Sequence, residues 1–415
     1  MVQSVIFKIM KILQLDIEGF RSLKKVSWKP GDLNVVIGPN GSGKSNLLRF
    51  LELMSVSAQG RLGKYIQSLG GMDPIVWDGQ ATSISFMIKA SLENEKQNVE
   101  HDGVIYLLEL TRLGKGSSYQ IRDERLSGYS QIQGGKQLKP PIFLERTGSG
   151  VQIFDHKEQV MFTQDDLIAV DKAIFGNTET ETYLSIPIAF VSDRQIPLLR
   201  YELEFWAIYH DLQVHKDAHL RQAAVARLEK RVEPDGQNLI PVLHTLYESD
   251  RDFKKDINTA MRAAFGDDFD ELVFPPAADQ RVQLRIRWKS LKREQSAADL
   301  SDGTLRFLLL LTVLASPSPP PLIAIDEPET GLHPSMLPII AEYAVDAANR
   351  TQVIFTTHSP QFLDAFVDTK PTTTVAKWEN GETTLKVLAG ERLDYWLQEY
   401  SLGALFKSGE LEEME

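Results

Sequence analysis

The sequence lacks several features that would define its class at once. It contains no cysteine among 415 residues, which excludes disulfide bonds and thiolate metal sites and agrees with a reducing compartment. No run approaches the ~18 consecutive apolar residues that a membrane-spanning helix needs. Internal repeats, sustained heptads and low-complexity tracts are also missing from the sequence. These absences predict a globular, cytoplasmic protein without a membrane partner.

Basic residues are outnumbered by acidic ones. The chain has 45 Lys and Arg against 57 Asp and Glu, which gives a formal net charge of −12 at pH 7. Nucleic-acid binding depends largely on neutralising phosphates with Lys and Arg, so this protein is not coated with a surface for nucleic acid. Any such contact must be local. Otherwise the composition, 42% hydrophobic and 25% charged, is that of a globular protein with a sizeable core.

The order of the apolar patterns predicts an α/β protein. A strand–loop–helix pattern opens the chain, and several strand patterns with glycine-rich breaks follow over residues 81–153, which favours an antiparallel sheet. Over residues 194–264 the apolar spacing becomes helical and includes Tyr209. Strand and helix patterns then alternate, which indicates a parallel sheet. The predicted parts are an N-terminal lobe (1–192), a helical insert (193–275), a C-terminal lobe (276–390) and a C-terminal tail (391–415).

A phosphate-binding loop is the strongest chemical signal in the sequence. Residues 38–45 read GPNGSGKS between an apolar strand pattern and a helical pattern, which is the context that this motif requires. Glycine backbone N–H groups can close around phosphates, Lys44 can reach the β- and γ-phosphates, and the Ser45 hydroxyl can bind Mg²⁺. The predicted nucleotide contacts of this segment are Asn40, Gly41, Ser42, Gly43, Lys44, Ser45 and Asn46.

An apolar run that ends in two carboxylates predicts a catalytic edge of the parallel sheet. Residues 322–325 are apolar and are followed by Asp326 and Glu327. Acids at the carboxyl end of such a strand can lie beside a phosphate loop. Asp326 is therefore predicted to hold Mg²⁺ through water, and Glu327 to orient or deprotonate an attacking water. The alternative is an acidic pair that caps a helix, since acidic strand ends are common on protein surfaces.

Two further segments have the chemistry to contact a bound nucleotide. In residues 300–304, LSDGT, Ser301 can cap a helix and Gly303 gives access to the backbone at a helix N-terminus, which suits an anion. A plain helix cap is the alternative for this segment. His358 follows the strand pattern 352–356, where it could hydrogen-bond the γ-phosphate, although a lone histidine in a turn usually has a structural role.

Together these motifs resemble the RecF-like and SMC-like branch of ABC ATPases, especially the small bacterial AAA-family ATPases related to OLD proteins. The resemblance is carried by segments 17–23, 38–46, 300–306, 325–334 and 356–360. It implies an ABC-type ATPase head with a parallel-sheet core, an antiparallel β subdomain and a helical insert. It also implies ATP and Mg²⁺ as cofactors, and an ATP-dependent homodimer or higher oligomer in which the Ser301 segment touches the γ-phosphate bound by the other subunit. Lys44, Glu327 and His358 are the catalytic residues expected on this basis.

The resemblance also implies roles for residues without a chemical motif of their own. Arg21 is expected to approach the nucleotide, and His333 to lie at the dimer interface. A glutamine that senses Mg²⁺ and the γ-phosphate is expected after a strand; Gln195 is the candidate, and Gln80 competes with it. The insert is too short for the long coiled coil of an SMC protein. We expect no Toprim nuclease domain after His358.

Two biological functions stay open for such an ATPase. The first is a switch that acts on DNA or a DNA-bound partner in genome maintenance or phage defence, through a basic strand face with Arg281, Arg285, Arg287 and Lys289. A salt-bridged, solvated strand is the alternative for that face. The second is a regulatory ATPase that gates a separately encoded nuclease or toxin through exposed aromatic positions in residues 205–209, although helix-spaced aromatics are more often core. A transport ATPase and a kinase rank behind both.

Overall fold

The structure is a computed structural model that describes most of the chain. The described residues are 10–91, 102–114, 118–129, 140–148, 150–171, 179–188, 190–366, 369–388, 396–397 and 400–413. Part of the tail expected over 391–415 lies outside them. The chain divides into two compact units. The first comprises Met1–Gly31, Pro39–Trp206 and Val375–Val387, and the second Asp32–Gly38, Ala207–Thr374 and Leu388–Glu415.

Strands and helices of the described residues are numbered in chain order. The strands are β1 (Lys11–Phe20), β2 (Leu23–Trp28), β3 (Leu33–Ile37), β4 (Ser83–Ser91), β5 (Gly103–Arg112), β6 (Tyr119–Tyr129), β7 (Ile142–Thr147), β8 (Gly150–Asp155), β9 (Val160–Thr163), β10 (Ala207–Tyr209), β11 (Ala224–Val225), β12 (Phe269–Val273), β13 (Pro276–Ala277), β14 (Arg281–Val282), β15 (Arg285–Trp288), β16 (Gln295–Ser296), β17 (Leu322–Asp326), β18 (Gln352–Thr357), β19 (Thr372–Glu379) and β20 (Glu382–Val387). The helices are α1 (Lys44–Ala58), α2 (Leu62–Ser68), α3 (Gln164–Val170), α4 (Gln195–Glu204), α5 (Leu239–Ser249), α6 (Arg251–Phe265), α7 (Asp302–Leu314), α8 (Leu337–Ala348), α9 (Pro360–Asp364), α10 (Leu402–Ser408) and α11 (Glu410–Glu413). None of these helices is long and apolar enough to cross a membrane.

The first unit is built on an antiparallel sheet with the strand order β2-β1-β4-β5-β6-β7-β8-β9. Burial alternates along β4, because successive side chains of a strand point to opposite faces. Helix α1 covers one face: the Phe50 ring packs edge-on against Phe20 on β1 and Phe86 on β4, with ring centres 5.4 and 5.3 Å apart. The antiparallel β subdomain predicted for this part of the chain is therefore confirmed.

A buried carboxylate joins this sheet to the segment that leads out of it. Glu124 on β6 is fully buried and accepts hydrogen bonds from the backbone N–H groups of Tyr183 and Leu184, at 2.8 and 2.9 Å, and from the Tyr106 hydroxyl, at 3.0 Å. Burial raises the pKa of Glu124, and these donors oppose the rise. The short 3₁₀ turn Tyr183–Ser185 is held to β6 by this side chain.

The second unit contains the predicted parallel core. Its strands follow the order β10-β17-β18-β3, and each neighbouring pair is parallel. Residues of β3 and β18 are buried throughout, as in sheets covered on both faces, and for this reason polar and apolar residues do not alternate along them. The register sets Ile325 of β17 beside Tyr209 of β10 and Phe355 of β18. The carboxyl ends of these strands are therefore level at one edge.

Residues 193–275 are helical only in part. Helices α4, α5 and α6 lie there, but Ala207–Tyr209 forms β10 at the edge of the parallel sheet, so the prediction that placed Tyr209 in a helix is wrong. A three-residue strand is too short to show a period in the sequence. Trp206, Ile208 and Tyr209 are buried, and of the four aromatic and apolar positions considered for docking, only Phe205 is exposed. The three buried side chains are therefore not available as a docking surface.

Candidate functional site: a phosphate loop and an acidic sheet edge

The phosphate-loop residues of the first unit surround the start of α1. Lys44 is buried, and its ammonium donates to the backbone oxygen of Pro39 at 3.0 Å, which folds the lysine back over the loop. Gly43 precedes the helix with a φ of 95°, a left-handed conformation that favours glycine. A Cβ at Gly43 would also overlap the Thr383 hydroxyl. Asn40 and Gly41 are exposed, and Ser45 is half-buried. The loop thus leaves its tip and its helix start open to a ligand.

Hydrogen bonds from neighbouring segments of the first unit support this loop. The Thr383 hydroxyl donates to the Ser42 carbonyl at 2.9 Å, and it also bonds the Ser22 hydroxyl at 2.7 Å. The Asn46 side-chain amide donates to the same Ser22 hydroxyl at 2.8 Å. Asn46, predicted as a nucleotide contact, therefore also holds the β1–β2 turn against α1.

Arg21 lies in that turn, with a φ of 47°. Burial lowers the pKa of its guanidinium and nearby Arg49 lowers it further, whereas Tyr65 and Glu52 oppose the shift. Its Nε atom is buried and has no hydrogen-bond partner among the described residues. The charge of Arg21 is thus held in a partly desolvated position, and its approach to a nucleotide stays a prediction.

The two competing glutamines differ in their surroundings. Gln195 is the first residue of α4, and its side-chain oxygen is buried without a hydrogen-bond partner within the described part of the chain. Gln80 is exposed at the end of the short 3₁₀ turn Trp77–Gly79. An unpaired buried acceptor is rare in folded proteins. Gln195 therefore keeps its place as the candidate that senses Mg²⁺.

The acidic pair of the second unit lies where β17 ends. Asp326 is the last residue of β17, and the Thr356 hydroxyl of β18 donates to its carboxylate. Glu327 follows in a left-handed conformation, φ 46°, and its backbone N–H donates to the Thr356 carbonyl at 3.0 Å. Such a conformation is uncommon for glutamate and turns the chain sharply off the sheet. The side chain of Glu327 is thereby held at the edge, 37% exposed.

His358 bonds to this carboxylate. Its Nδ1 atom lies 2.9 Å from Oε1 of Glu327 and 3.9 Å from Oε1 of Glu329. The ring is 44% exposed, so its other nitrogen stays available to a ligand. The sequence predicts that His358 and Glu327 follow neighbouring strands, and in the structure the two side chains are in direct contact.

Glu329 was missed in the sequence, although it belongs to the same cluster. Oε1 accepts a hydrogen bond from the Thr357 hydroxyl at 2.5 Å, while Oε2 is buried without a partner within the described residues. Burial raises the pKa of Glu329, and Thr357 and His358 oppose the rise. Glu329 lies three residues beyond the end of β17, where the strand period no longer applies. The acidic run of residues 326–329 is the feature that could have indicated it.

A buried arginine balances the charge of this edge. Arg306 of α7 is only 9% exposed, and its Nη2 atom donates to the backbone oxygen of Glu327 at 3.1 Å. Burial lowers the pKa of Arg306, whereas the neighbouring carboxylates of Asp211, Glu329 and Glu327 raise it. A single arginine within an otherwise apolar helix is rarely buried unless it is paired. That rule is the sequence signal that could have identified Arg306.

The segment of Ser301 and Gly303 begins α7. The Ser301 hydroxyl accepts a hydrogen bond from the Thr304 N–H at 3.1 Å, so the helix-cap interpretation is correct locally. Glycine is required at position 303 for a separate, steric reason: a Cβ there would lie 2.6 Å from the Gly331 carbonyl oxygen. The start of α7 is thus packed tightly on the turn after the acidic strand. His333, in the same region, caps the 3₁₀ turn Pro334–Met336 through Nδ1.

The basic strand face is partly neutralised within the second unit. Arg287 forms ion pairs with Glu271 and with Glu294, the latter at 2.8 Å. Arg285 donates to the Gln283 side chain at 2.9 Å. A salt-bridged strand, the alternative interpretation, therefore describes Arg287.

The fold defines a class of protein. The chain has the fold of the ABC-type ATPase head found in SMC proteins. It is 13% identical to the SmcHead bound to the C-winged helix domain of ScpA, with a TM-score of 0.54 over 92% of this chain and 99% of that one. It is 14% identical to the Smc head domain with an extended coiled coil bound to the C-terminal domain of ScpA derived from Pyrococcus furiosus, with a TM-score of 0.51 over 94% and 99% of the two chains.

The sequence then assigns the family. The chain belongs to the family described as "AAA domain, putative AbiEii toxin, Type IV TA system", whose pattern matches residues 33–364. No curated protein sequence matches the chain. The resemblance to SMC-like and RecF-like ABC ATPases that the motifs indicated is confirmed by this family and by the fold.

Gly303→Ala tests the packing at the start of α7. The added methyl group cannot fit 2.6 Å from the Gly331 oxygen, so the Ser301 turn or the turn after the acidic strand must move. We expect the free energy of unfolding to fall by about 1–3 kcal/mol, because overpacking of a close contact costs about that much. Gly150→Ala is the matched control, since its Cβ would meet nothing closer than 3.8 Å. Equal stability of both variants in thermal denaturation would contradict the close packing of Gly303 on Gly331.

Proposed function

We propose that the protein binds ATP with Mg²⁺ and hydrolyses it as an ABC-type ATPase that works as a nucleotide-dependent dimer. The observation that carries this proposal is the arrangement at the acidic sheet edge. There Glu327 is held in a left-handed turn, hydrogen-bonded to His358 at 2.9 Å, with Asp326 one residue before it. A carboxylate so fixed and half-exposed has the position and the chemistry of a general base for water. Family membership supports the nucleotide as the ligand.

Two of the predicted site residues carry oxygen atoms of the kind that Mg²⁺ binds. Mg²⁺ is held in nucleotide sites by one or two protein oxygens, waters and substrate phosphates, rather than by a dedicated cage. The Ser45 hydroxyl and the Asp326 carboxylate are ligands of this kind, and the described residues contain no cluster of three or more His, Cys, Asp or Glu side chains that could hold a metal by themselves. When bound, the ion would neutralise charge on the β- and γ-phosphate oxygens.

Each side chain has one task in the proposed reaction. Lys44 and the loop N–H groups bind the phosphates. Glu327 orients the attacking water and takes its proton. His358, bonded to Glu327 through Nδ1, can donate an Nε2–H to the γ-phosphate when both ring nitrogens carry a proton. Ser301 and Gly303 of the second subunit complete the charge neutralisation on the γ-phosphate. Hydrolysis then removes the ligand that holds the subunits together.

Glu327→Gln tests the assigned base. The amide keeps the shape of the side chain but cannot accept the proton, so steady-state ATP turnover should fall about 100-fold or more. Binding of ATP should persist. Glu342→Gln, the same change at an exposed position of α8, should turn over at the wild-type rate. If Glu327→Gln retains wild-type turnover, Glu327 is not the base.

The biological setting that we propose is DNA maintenance or anti-phage defence, with the ATPase as a switch. For the ligand of the switch, one observation favours gating of a separately encoded effector over direct DNA contact. Arg287, at the centre of the basic strand, is already paired with Glu271 and Glu294. Charges that are paired within the protein release fewer counterions from DNA. The family description, with its toxin and antitoxin system, supports the same direction, and both Smc heads were solved with a ScpA domain bound.

Measuring ATP turnover with and without duplex DNA at low salt distinguishes effector gating from direct DNA contact. The effector-gating proposal predicts a change of less than about twofold on adding DNA, because Arg287 at the centre of the basic face is already paired within the protein. Glu327→Gln serves as the blank that removes contaminating ATPase activity. A strong stimulation by DNA that Arg285→Glu with Arg287→Glu abolishes would establish direct DNA contact instead.

A further inference from the structure

A buried arginine from outside the Ser301 segment holds the start of α7. Arg221 ends the 3₁₀ turn His219–Arg221 and is only 5% exposed. Its Nη1 atom donates to the Leu300 carbonyl at 2.7 Å, its Nε atom donates to the Val214 carbonyl at 2.8 Å, and its Nη2 atom forms an ion pair with Asp302. The planar fork of the guanidinium allows all these bonds at once. Arg221 therefore fixes the residues on both sides of Ser301.

Asp302 poses an electrostatic problem for the proposed function. It is the first residue of α7, between Ser301 and Gly303, and its side chain is 62% exposed. An acidic side chain at a helix N-terminus stabilises the helix. The same negative charge repels any anion that approaches this helix end from outside, and the proposed function brings a triphosphate there.

We propose that Arg221 is a positioning residue that neutralises Asp302, so that the start of α7 can accept the γ-phosphate bound by a second copy of the chain. The inference rests on the proposed function and deepens it. The ion pair keeps Asp302 as a helix-starting residue while it removes the net charge beside Ser301. Without Arg221, the carboxylate of Asp302 would face the triphosphate unpaired, and ATP-driven association would weaken.

A purely structural role is the competing explanation, because Arg221 also bonds to backbone carbonyls. The two explanations differ in what removal of the Asp302 charge does. If Arg221 acts by neutralisation, Asp302→Asn in an Arg221→Gln background restores association. If Arg221 acts only as a scaffold, the asparagine restores nothing, because the carbonyl bonds are still lost.

The experiment measures the ATP concentration for half-maximal dimerisation by sedimentation velocity, in a Glu327→Gln background that cannot consume the nucleotide. Arg221→Gln should raise that concentration by more than about tenfold, since like charges in direct apposition are strongly unfavourable. In the double variant Arg221→Gln, Asp302→Asn, the ATP concentration for half-maximal dimerisation should return to within about threefold of the parent's. In free energy, that remaining defect is less than half of the defect expected for Arg221→Gln alone. Arg221→Gln that dimerises like the parent, or a double variant that stays as defective as Arg221→Gln, would overturn the inference.

Controls separate this inference from folding and from the proposed function itself. Arg350→Gln is matched: Arg350 bonds to the Leu314 carbonyl at the other end of α7 and pairs with Asp346, so its loss should not change the ATP requirement. If Arg221→Gln unfolds in a thermal scan, Arg221→Lys replaces it, since lysine keeps the charge but loses most carbonyl bonds. Near-parent dimerisation of Arg221→Lys supports neutralisation, and a large loss overturns it. A Glu327→Gln parent that does not dimerise with ATP would contradict the proposed function instead.

Discussion

The backbone hydrogen bond from Glu327 to Thr356 joins the end of one parallel strand to its neighbour. It holds Glu327 in a left-handed turn, and that turn sends the side chain toward His358, which follows the neighbouring strand. The register of β17 and β18 sets this geometry, because Asp326 pairs with Thr356 and the two strands end within one residue of each other. The acid, the histidine and the turn that Gly303 packs against all depend on this register.

Buried arginines are the second common feature of the site. Arg306 lies behind the acidic edge and Arg221 lies behind Asp302, and each donates to backbone carbonyls as well as facing carboxylates. A buried guanidinium is stable only when such partners surround it. The two arginines thus fix both ends of a short path from the start of α7 to the turn of Glu327. Both arginines are buried, so they position the surface residues and offset the acidic charge without being exposed themselves.

Elements with a hydrophobic periodicity or a sequence motif could be predicted from the sequence. Elements and residues with neither could not. The antiparallel strands, the parallel core and the acidic end of β17 follow from the hydrophobic patterns of their sequences. In contrast, β10 has three residues, and only pairing with β17 makes it a strand. Glu329 and Arg221 act through contacts with residues distant in sequence, such as Thr357 and Leu300, which no local pattern encodes. The roles of the phosphate loop, Arg21 and Gln195 rest on the family and its motifs.

The claim that most needs testing is that one ATP is held by the phosphate loop of one copy and the Ser301 segment of another. Mixing two inactive variants, Lys44→Ala and Ser301→Arg, tests it directly. Half of the randomly formed dimers would then pair the two variants and contain one intact site of two, so the mixture should recover about a quarter of the wild-type ATP turnover. If the mixture stays inactive while both variants fold and associate, or if Ser301→Arg alone turns over at the wild-type rate, the composite site is wrong.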